Sequence, residues 1–331
     1  MKAIELFCGA GGMSLGAKYA GIETLLSIEH NRDAAATHRA NELSGITLQM
    51  DVRKYDFRQH NMVLENPHWK SMGIDLIYGG PNCTSFSCAK NGSKGADDDK
   101  NMIPEFIRAC REARPWYFVM ENVPALAGKR HKEYFQSVVS DLVALGYNVS
   151  WGIRTASDFG LPTKRKRLFV IGSLLSKIRV RNESFSPLLA RDVLDLDNRQ
   201  TDQTVVYAKN PVVHKTLYGS LLVNGRGKPI NMDSQVNTIT ATHANGRHIY
   251  DMDGVLAEYH KHLLAGGKSR TGKVPGVRRI TLEEAKAIQG FPSDFVWVGN
   301  ERSQFRQVGN AVPPRMAEGI LRGIVVEWIN A

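Results

Sequence analysis

The sequence predicts an α/β protein: a parallel, doubly wound sheet joined to a smaller domain of mostly β or irregular character. Two observations point to the sheet. Strand-like and helix-like segments alternate through residue 180, and the unusual motifs fall where strands end. A third points to the second domain. After about residue 180 the text turns rich in Gly, Asn, Thr and His, with short alternating runs in place of long amphipathic helices.

In order, KAIELF (2–7) reads as a strand, GAGG as a turn, and SLGAKYAG (14–21) as a helix. TLLSIEH (24–30) is a second strand and DAAATHRAN (33–41) a helix, followed by strands at ITLQMD (46–51) and GIDLIYGG (73–80). The helix IPEFIRACREAR (103–114), the strand WYFVMEN (116–122) and the helix EYFQSVVSDLVALG (133–146) come next. YNVSWGIRT (147–155) and KRLFVIGS (166–173) complete the strands. QTVVYA, VNTITAT and RHIYDMDG are the alternating runs of the second domain. Helical periodicity returns at RRITLEEAKAIQGF (278–291), and PPRMAEGILRGIVVEWI closes the chain as a helix with Pro at its start. The expected division is 1–180, 181–277 and 278–331, the last segment returning to the first domain.

The chain has 331 residues, of which 42% are hydrophobic, enough for a large core and unlike a disordered protein. Its 43 Lys and Arg against 33 Asp and Glu leave a formal charge of +10, which favours nucleic acid or another polyanion. The four cysteines (Cys8, Cys83, Cys88, Cys110) contain no Cys-x-x-Cys pair, so neither a zinc site nor a disulfide framework is suggested, and no metal is expected. No run approaches the ~18 apolar residues of a membrane span. A soluble, reducing, cytoplasmic setting is expected.

FCGAGGMSLG joins a strand end, a glycine turn and a helix start, which makes a backbone cradle for a nucleotide-like ligand. The dinucleotide fingerprint Gly-x-Gly-x-x-Gly fails at Ser14, which lowers an NAD or FAD reading without removing it. Glu29 and Asp51 end the next two strands, where one carboxylate can take ribose hydroxyls and the other can accept from an adenine amino group. YGGPNCTSFSCAKNGSKG sets Cys83 at a stiff corner before a flexible, lysine-bearing loop. Such a thiol can attack an electrophilic carbon if its site favours thiolate. Glu121-Asn122 ends the following strand, so sheet order can bring that carboxyl close to Cys83. TKRKR (163–167) places Arg165 and Arg167 on one face, where guanidinium forks can hold a phosphate or a base edge. FRQVGNAVPP (305–314) reads as a Gly-Asn turn before a helix.

Together FCGAGG, GGPNCTSFS, ENV, PTKRKR, RRITLEEAKAIQGFP and QVGNAVPP resemble the DNA cytosine carbon-5 methyltransferase family, in its order and across residues 4 to 314. The resemblance implies a class I S-adenosylmethionine-dependent methyltransferase (Rossmann-like) domain, interrupted at 181–277 by a target recognition domain. Phe7, Gly9 and Gly11 would border the methionine part of S-adenosylmethionine, Glu29 bind its ribose, and His30 and Asp51 meet its adenine. Gly80 and Met102 would line the pocket and Asn310 close it.

Cys83 would be the nucleophile toward cytosine carbon-6, Glu121 would bind the nitrogen-3 edge, Arg167 would contact the carbonyl oxygen, and Arg165 would support the loop or a phosphate. Ser85, Ser87, Lys90 and Lys94, with Gly92 and Gly95, would close over a flipped base. Thr238-Ile239 fits the family's recognition-domain pair, and Asn224, Arg226, His243, Asn245 and Arg247 are candidate base readers.

Two positions depart from the family. Pro-Pro-Cys-Gln is Pro81-Asn82-Cys83-Thr84 here, and the Gln before the paired arginines is Thr163. The implied partner is double-stranded DNA, met by a monomer in the cytoplasm or nucleoid, with a cognate restriction endonuclease as a genetic partner. Alternatives are a tRNA methyltransferase of the same fold, a DNA-binding protein without catalysis, and a nicotinamide oxidoreductase.

Overall fold

The computed structural model describes residues 1–60, 73–82, 100–198, 200–202, 204–207, 212–216, 219–223, 228–241 and 248–331. Its centre is a seven-stranded sheet of β1 (Lys2–Leu6), β2 (Glu23–Glu29), β3 (Ile46–Gln49), β4 (Leu76–Gly79), β5 (Tyr117–Asn122), β6 (Asn148–Thr155) and β7 (Lys166–Ser173). The strand order is β3-β2-β1-β4-β5-β7-β6.

One departure from the expected parallel sheet is β7, which pairs antiparallel with both β5 and β6. The link from Ala156 to Arg165 is too short for the crossover helix that a parallel return needs. The reversal has a consequence for function. It sets the amino end of β7 beside the carboxyl end of β5, with Asn122 opposite Leu168.

The middle strands are buried on both faces, as sheets covered by helices on each side must be. Along β5, Tyr117 and Val119 join the core that contains Met13, Met316 and Ile320, while Phe118 and Met120 join the core of Ile4, Leu6, Phe106 and Leu142. Helices α1 (Gly12–Tyr19), α2 (Arg32–Ala40), α3 (Ile103–Ala113) and α4 (Lys132–Ala144) connect successive strands. α2 begins where the Asn31 side chain accepts from Ala34 N at 3.1 Å.

Beyond the sheet lie β8 (Val212–Thr216), β9 (Gly219–Val223), β10 (Lys228–Pro229), β11 (His248–Asp251) and β12 (Val277–Arg279), in a two-stranded and a three-stranded sheet. RHIYDMDG supplies β11, whereas the described residues of QTVVYA and VNTITAT form only the isolated bridges Val206↔Lys273 and Thr163↔Val236. This region, expected to be mostly β or irregular, also holds a ten-residue helix, α5 (Val255–Leu264). Asp251 accepts from Leu256 N and Ala257 N at 3.1 Å and so fixes the start of α5.

The chain then forms α6 (Leu282–Ile288), α7 (Glu301–Asn310) and α8 (Pro314–Ile329). Thr281 and Glu284 make a reciprocal cap on α6, so the helix starts later than periodicity from 278 suggests. Gly309-Asn310 is not a free turn but the end of α7, which the Asn300 side chain caps by accepting from Ser303 N at 2.9 Å. α8 packs on α1 at very close range: a Cβ on Gly16 would lie 2.6 Å from both Ala317 Cβ and Pro314 O. No helix among the described residues is long and apolar enough to cross a membrane.

Candidate active site at the carboxyl edge of the sheet

The glycine turn after β1 is wound tightly. Phe7, Gly9 and Gly11 have φ of 58°, 56° and 96°, and Gly11 N donates to Cys8 O at 2.9 Å. A left-handed Phe7 costs roughly 1–2 kcal/mol, which neighbouring contacts must offset. Glu29 contributes: one carboxylate oxygen accepts from Gly9 N at 2.9 Å and the other from Asn31 N at 2.6 Å. A Cβ added at Gly9 would meet nothing within 4 Å, so the loop borders open space beside an acceptor-rich carboxylate. A carboxylate beside open space suits a ligand with ribose hydroxyls, and a donor of the S-adenosylmethionine type fits this cradle.

Beneath the turn lies a buried polar network that sequence reasoning missed. The Ser14 hydroxyl donates to Glu5 and lies 2.8 Å from His38 Nε2, while His38 Nδ1 lies 2.7 Å from Thr47 Oγ1. Ser27 also donates to Glu5, at 3.3 Å. Ser14 thus stands at the third fingerprint position as a crosslink between strand and helix; the failed Gly-x-Gly-x-x-Gly match was its only trace in the sequence. Glu5, Cys8 and His38 are the group of potential metal ligands among the described residues. The Ser14 hydroxyl bridges two of them, so hydrogen bonds account for the cluster.

Of the other residues expected around a cofactor, His30 is exposed, and Met102 immediately precedes α3 and packs against the core below β4 and β5. Asp51 caps a short turn and accepts from Arg53 N and Nε, both at 3.0 Å. Hydrogen bonding from the Arg53 side chain holds its carboxyl down to about 2. Its acceptor positions are shared with Arg53, so an adenine amino group would compete with that guanidinium.

β4 and β5 bring the next residues together. Gly79 pairs with Met120 in parallel register, so Gly80-Pro81 runs alongside Glu121-Asn122. The Asn122 amide donates to Pro81 O at 3.2 Å, and a Cβ on Gly80 would lie 2.7 Å from Glu121 Oε2. Hence Gly80 must be glycine for the Glu121 carboxyl to stand where it does.

Glu121 is 9% exposed, and Arg167 Nε lies 2.6 Å from its Oε1. Burial pushes the Glu121 carboxyl up, and the charges of Arg167 and Arg165 only partly oppose this. Of the cysteines the structure describes, Cys8 and Cys110 are both buried, and burial pushes both thiols up, leaving them poor nucleophiles.

The paired arginines diverge. Arg167 faces Glu121, whereas Arg165 is fully buried and donates from Nη1 to Ile239 O at 2.9 Å and from Nη2 to Gly309 O at 3.0 Å. The supporting role expected for Arg165 has partners, but the phosphate contact does not suit a guanidinium enclosed by protein carbonyls. Asn310 offers its own carbonyl to Arg165 at 3.2 Å, while the residue itself is exposed. Thr163 is fully buried and Thr238 half-buried, two residues beyond the Val236 bridge. Cys83, Ser85, Ser87, Lys90, Lys94, Arg226 and Arg247, with Asn224, His243 and Asn245, lie outside the described residues.

Comparison with known proteins agrees in sequence and in fold. The family model described as C-5 cytosine-specific DNA methylase matches residues 1–325. The chain is similar to the type II methyltransferase M.AplI of Arthrospira platensis, at 31% identity over 100% of this chain and 87% of that protein. It is also similar to M1.HphI of Haemophilus parahaemolyticus, at 30% identity over 97% and 86%. Among solved structures, the S. pombe Dnmt2 methyltransferase shares the fold with a TM-score of 0.68 and 17% identity, over 100% of this chain and 99% of that one.

Proposed function

The chain belongs to the C-5 cytosine-specific DNA methylase family, and from that premise we propose that it methylates a flipped-out cytosine within a specific duplex sequence through a covalent Cys83 adduct. The donor in this reading is S-adenosylmethionine, held by Phe7, Gly9, Gly11, Glu29 and His30, with Asp51, Gly80, Met102 and Asn310 around it. When bound, it supplies the methyl group.

The chain's own residues do the rest. Cytosine carbon-5 is a poor nucleophile until carbon-6 is attacked, so the Cys83 thiolate forms a bond to carbon-6 and the ring electrons shift toward nitrogen-3. Glu121, whose carboxyl burial pushes up, gives its proton to nitrogen-3, and Arg167 holds the carbonyl oxygen and the ionised Glu121 that results. A base then takes the carbon-5 proton, the released electron pair expels the Cys83 thiolate from carbon-6, and the nitrogen-3 proton returns to Glu121, which restores the aromatic ring. Carbon-6 is unreachable in a stacked duplex, so the base must leave the helix, with Ser85, Ser87, Lys90 and Lys94 closing behind it. In this account residues 1–180 and 278–331 carry catalysis, and 181–277, with Arg226, Thr238 and Arg247, reads the bases. The protein acts as a monomer, within a restriction-modification system.

The observation that carries the reading is the buried Glu121, paired with Arg167 and packed against the Gly80-Pro81 corner that leads into Cys83. The test is a duplex with 5-fluorocytosine at the target site, incubated with S-adenosylmethionine. The account predicts a denaturant-resistant protein–DNA adduct. Methyl transfer to tRNA but not to DNA would contradict it.

A further inference from the structure

Three stretches far apart in sequence meet on one guanidinium. The first is the strand end carrying Arg165, where Lys164 N donates to Val236 O at 2.9 Å and Val236 N to Pro162 O at 2.7 Å. The second is the segment that follows Val236, whose Ile239 carbonyl accepts from Arg165 Nη1 at 2.9 Å. The third is the end of α7, whose Gly309 and Asn310 carbonyls accept from Nη2.

The second and third also touch directly. A Cβ on Gly309 would lie 2.5 Å from Ala241 N and 2.6 Å from the Thr240 carbonyl carbon, so backbone packs on backbone. Gln289, itself fully buried, donates to Val308 O at 2.8 Å and holds the helix end from the other side.

We propose that Arg165 is a positioning residue that couples occupancy of the 236–241 segment by DNA to occupancy of the cofactor cradle. The proposal rests on the functional reading above, which gives Thr238 to DNA, Asn310 to the cofactor and Arg167 to the cytosine. One residue, Lys166, separates Arg165 from Arg167, and Arg167 holds Glu121 at 2.6 Å. Displacement of Thr238 on DNA contact therefore acts through Ile239 on the guanidinium, and from it on the α7 carbonyls and the strand end bearing Arg167. The residue type follows from the task. A rigid planar fork reaches carbonyls of two segments at once in a fixed geometry, and a cation suits the negative end of α7.

Coupling of this kind is reciprocal, so it can be read as a ratio of affinities. The dissociation constant of S-adenosylhomocysteine is measured by titration calorimetry, alone and with the target duplex identified by methylation sequencing. For the wild type, the duplex should tighten S-adenosylhomocysteine binding within the range of about 5–150-fold typical of linked sites. In Arg165→Lys, which keeps the charge and loses the fork, and in Arg165→Gln, the ratio should fall to about 2-fold or less. Each affinity taken alone should stay within a few-fold of wild type. A merely structural role would lower the folded fraction and leave the ratio unchanged.

An unchanged ratio in folded Arg165→Lys overturns the proposal, and so does a wild type that shows no coupling. Hydrogen exchange on the wild type makes the same test without a variant. Target duplex alone should slow exchange at the 309–311 amides, and unaltered exchange there overturns the coupling. A wild type that binds neither S-adenosylhomocysteine nor DNA would instead defeat the functional reading itself.

Discussion

Glu121→Gln isolates the proposed proton donor with little change of shape. In the native site Oε1 is engaged by Arg167 at 2.6 Å, and Oε2 faces Gly80, where even a methyl group would come within 2.7 Å. In the proposed mechanism the proton for nitrogen-3 comes from Oε2, the oxygen that Arg167 does not engage. A glutamine preserves the volume and can still hydrogen-bond the ring but cannot give up a proton, so the lost contribution is that of general acid catalysis, about 10²–10⁴-fold. That corresponds to roughly 3–5 kcal/mol of barrier.

The pH dependence adds an independent check. Burial raises the Glu121 carboxyl in the folded state, so the folded protein holds this proton to higher pH than the unfolded chain does. Its contribution to stability is complete below the ordinary carboxylate range and is lost as pH rises through the raised folded value. The wild type should therefore lose melting temperature relative to Glu121→Gln as pH increases across that window. Single-turnover methylation with a labelled methyl donor and thermal melts at several pH values supply both readouts. Activity within tenfold of wild type, or a melting-temperature difference that is flat with pH, would refute the assignment.

Gly80→Ala should leave the fold intact and reduce methyl transfer at least tenfold, because its Cβ would displace a buried carboxyl; single-turnover rates decide, and native-like activity would count against the described packing. Ser14→Ala removes the hydroxyl between Glu5 and His38 and leaves buried polar groups short of a partner, at a cost of about 1–3 kcal/mol in urea unfolding, together with weaker S-adenosylhomocysteine binding. Gly16→Val, on the α1 face against Ala317 and Pro314, should lower stability by roughly 1–3 kcal/mol through overpacking while sparing the affinity for DNA of the protein that folds, as urea midpoints and gel shifts would show.

Much of this was legible in the sequence, for identifiable physical reasons. Strands buried on both faces must be continuous apolar runs, so LIYG, YFVMEN and KRLFVIGS declared themselves, and the expected span of β7 matches the observed Lys166–Ser173. Strand ends carry the polar exceptions, which is why Glu29 and Glu121 stood out. What did not show were properties of partners rather than of residues. The antiparallel direction of β7 follows from the length of its connection, and α7 was hidden because its short polar sequence, ERSQFRQVGN, carries few apolar positions to set a period. Arg165 and Arg167 look equivalent at i, i+2, yet one is enclosed by carbonyls of Ile239, Gly309 and Asn310 and the other meets a carboxylate. Ser14 and Asn122 gave no sign of function because their partners, Glu5 with His38 and Pro81, lie on other elements.

The central claim is that a thiol at the Pro81-Asn82-Cys83 corner attacks cytosine beside the buried Glu121. Bisulfite sequencing of DNA from cells expressing the wild type or Cys83→Ala tests it most directly. The account predicts methylated cytosines confined to one short sequence motif with the wild type and none above background with Cys83→Ala. Methylation of the same motif by Cys83→Ala would contradict it.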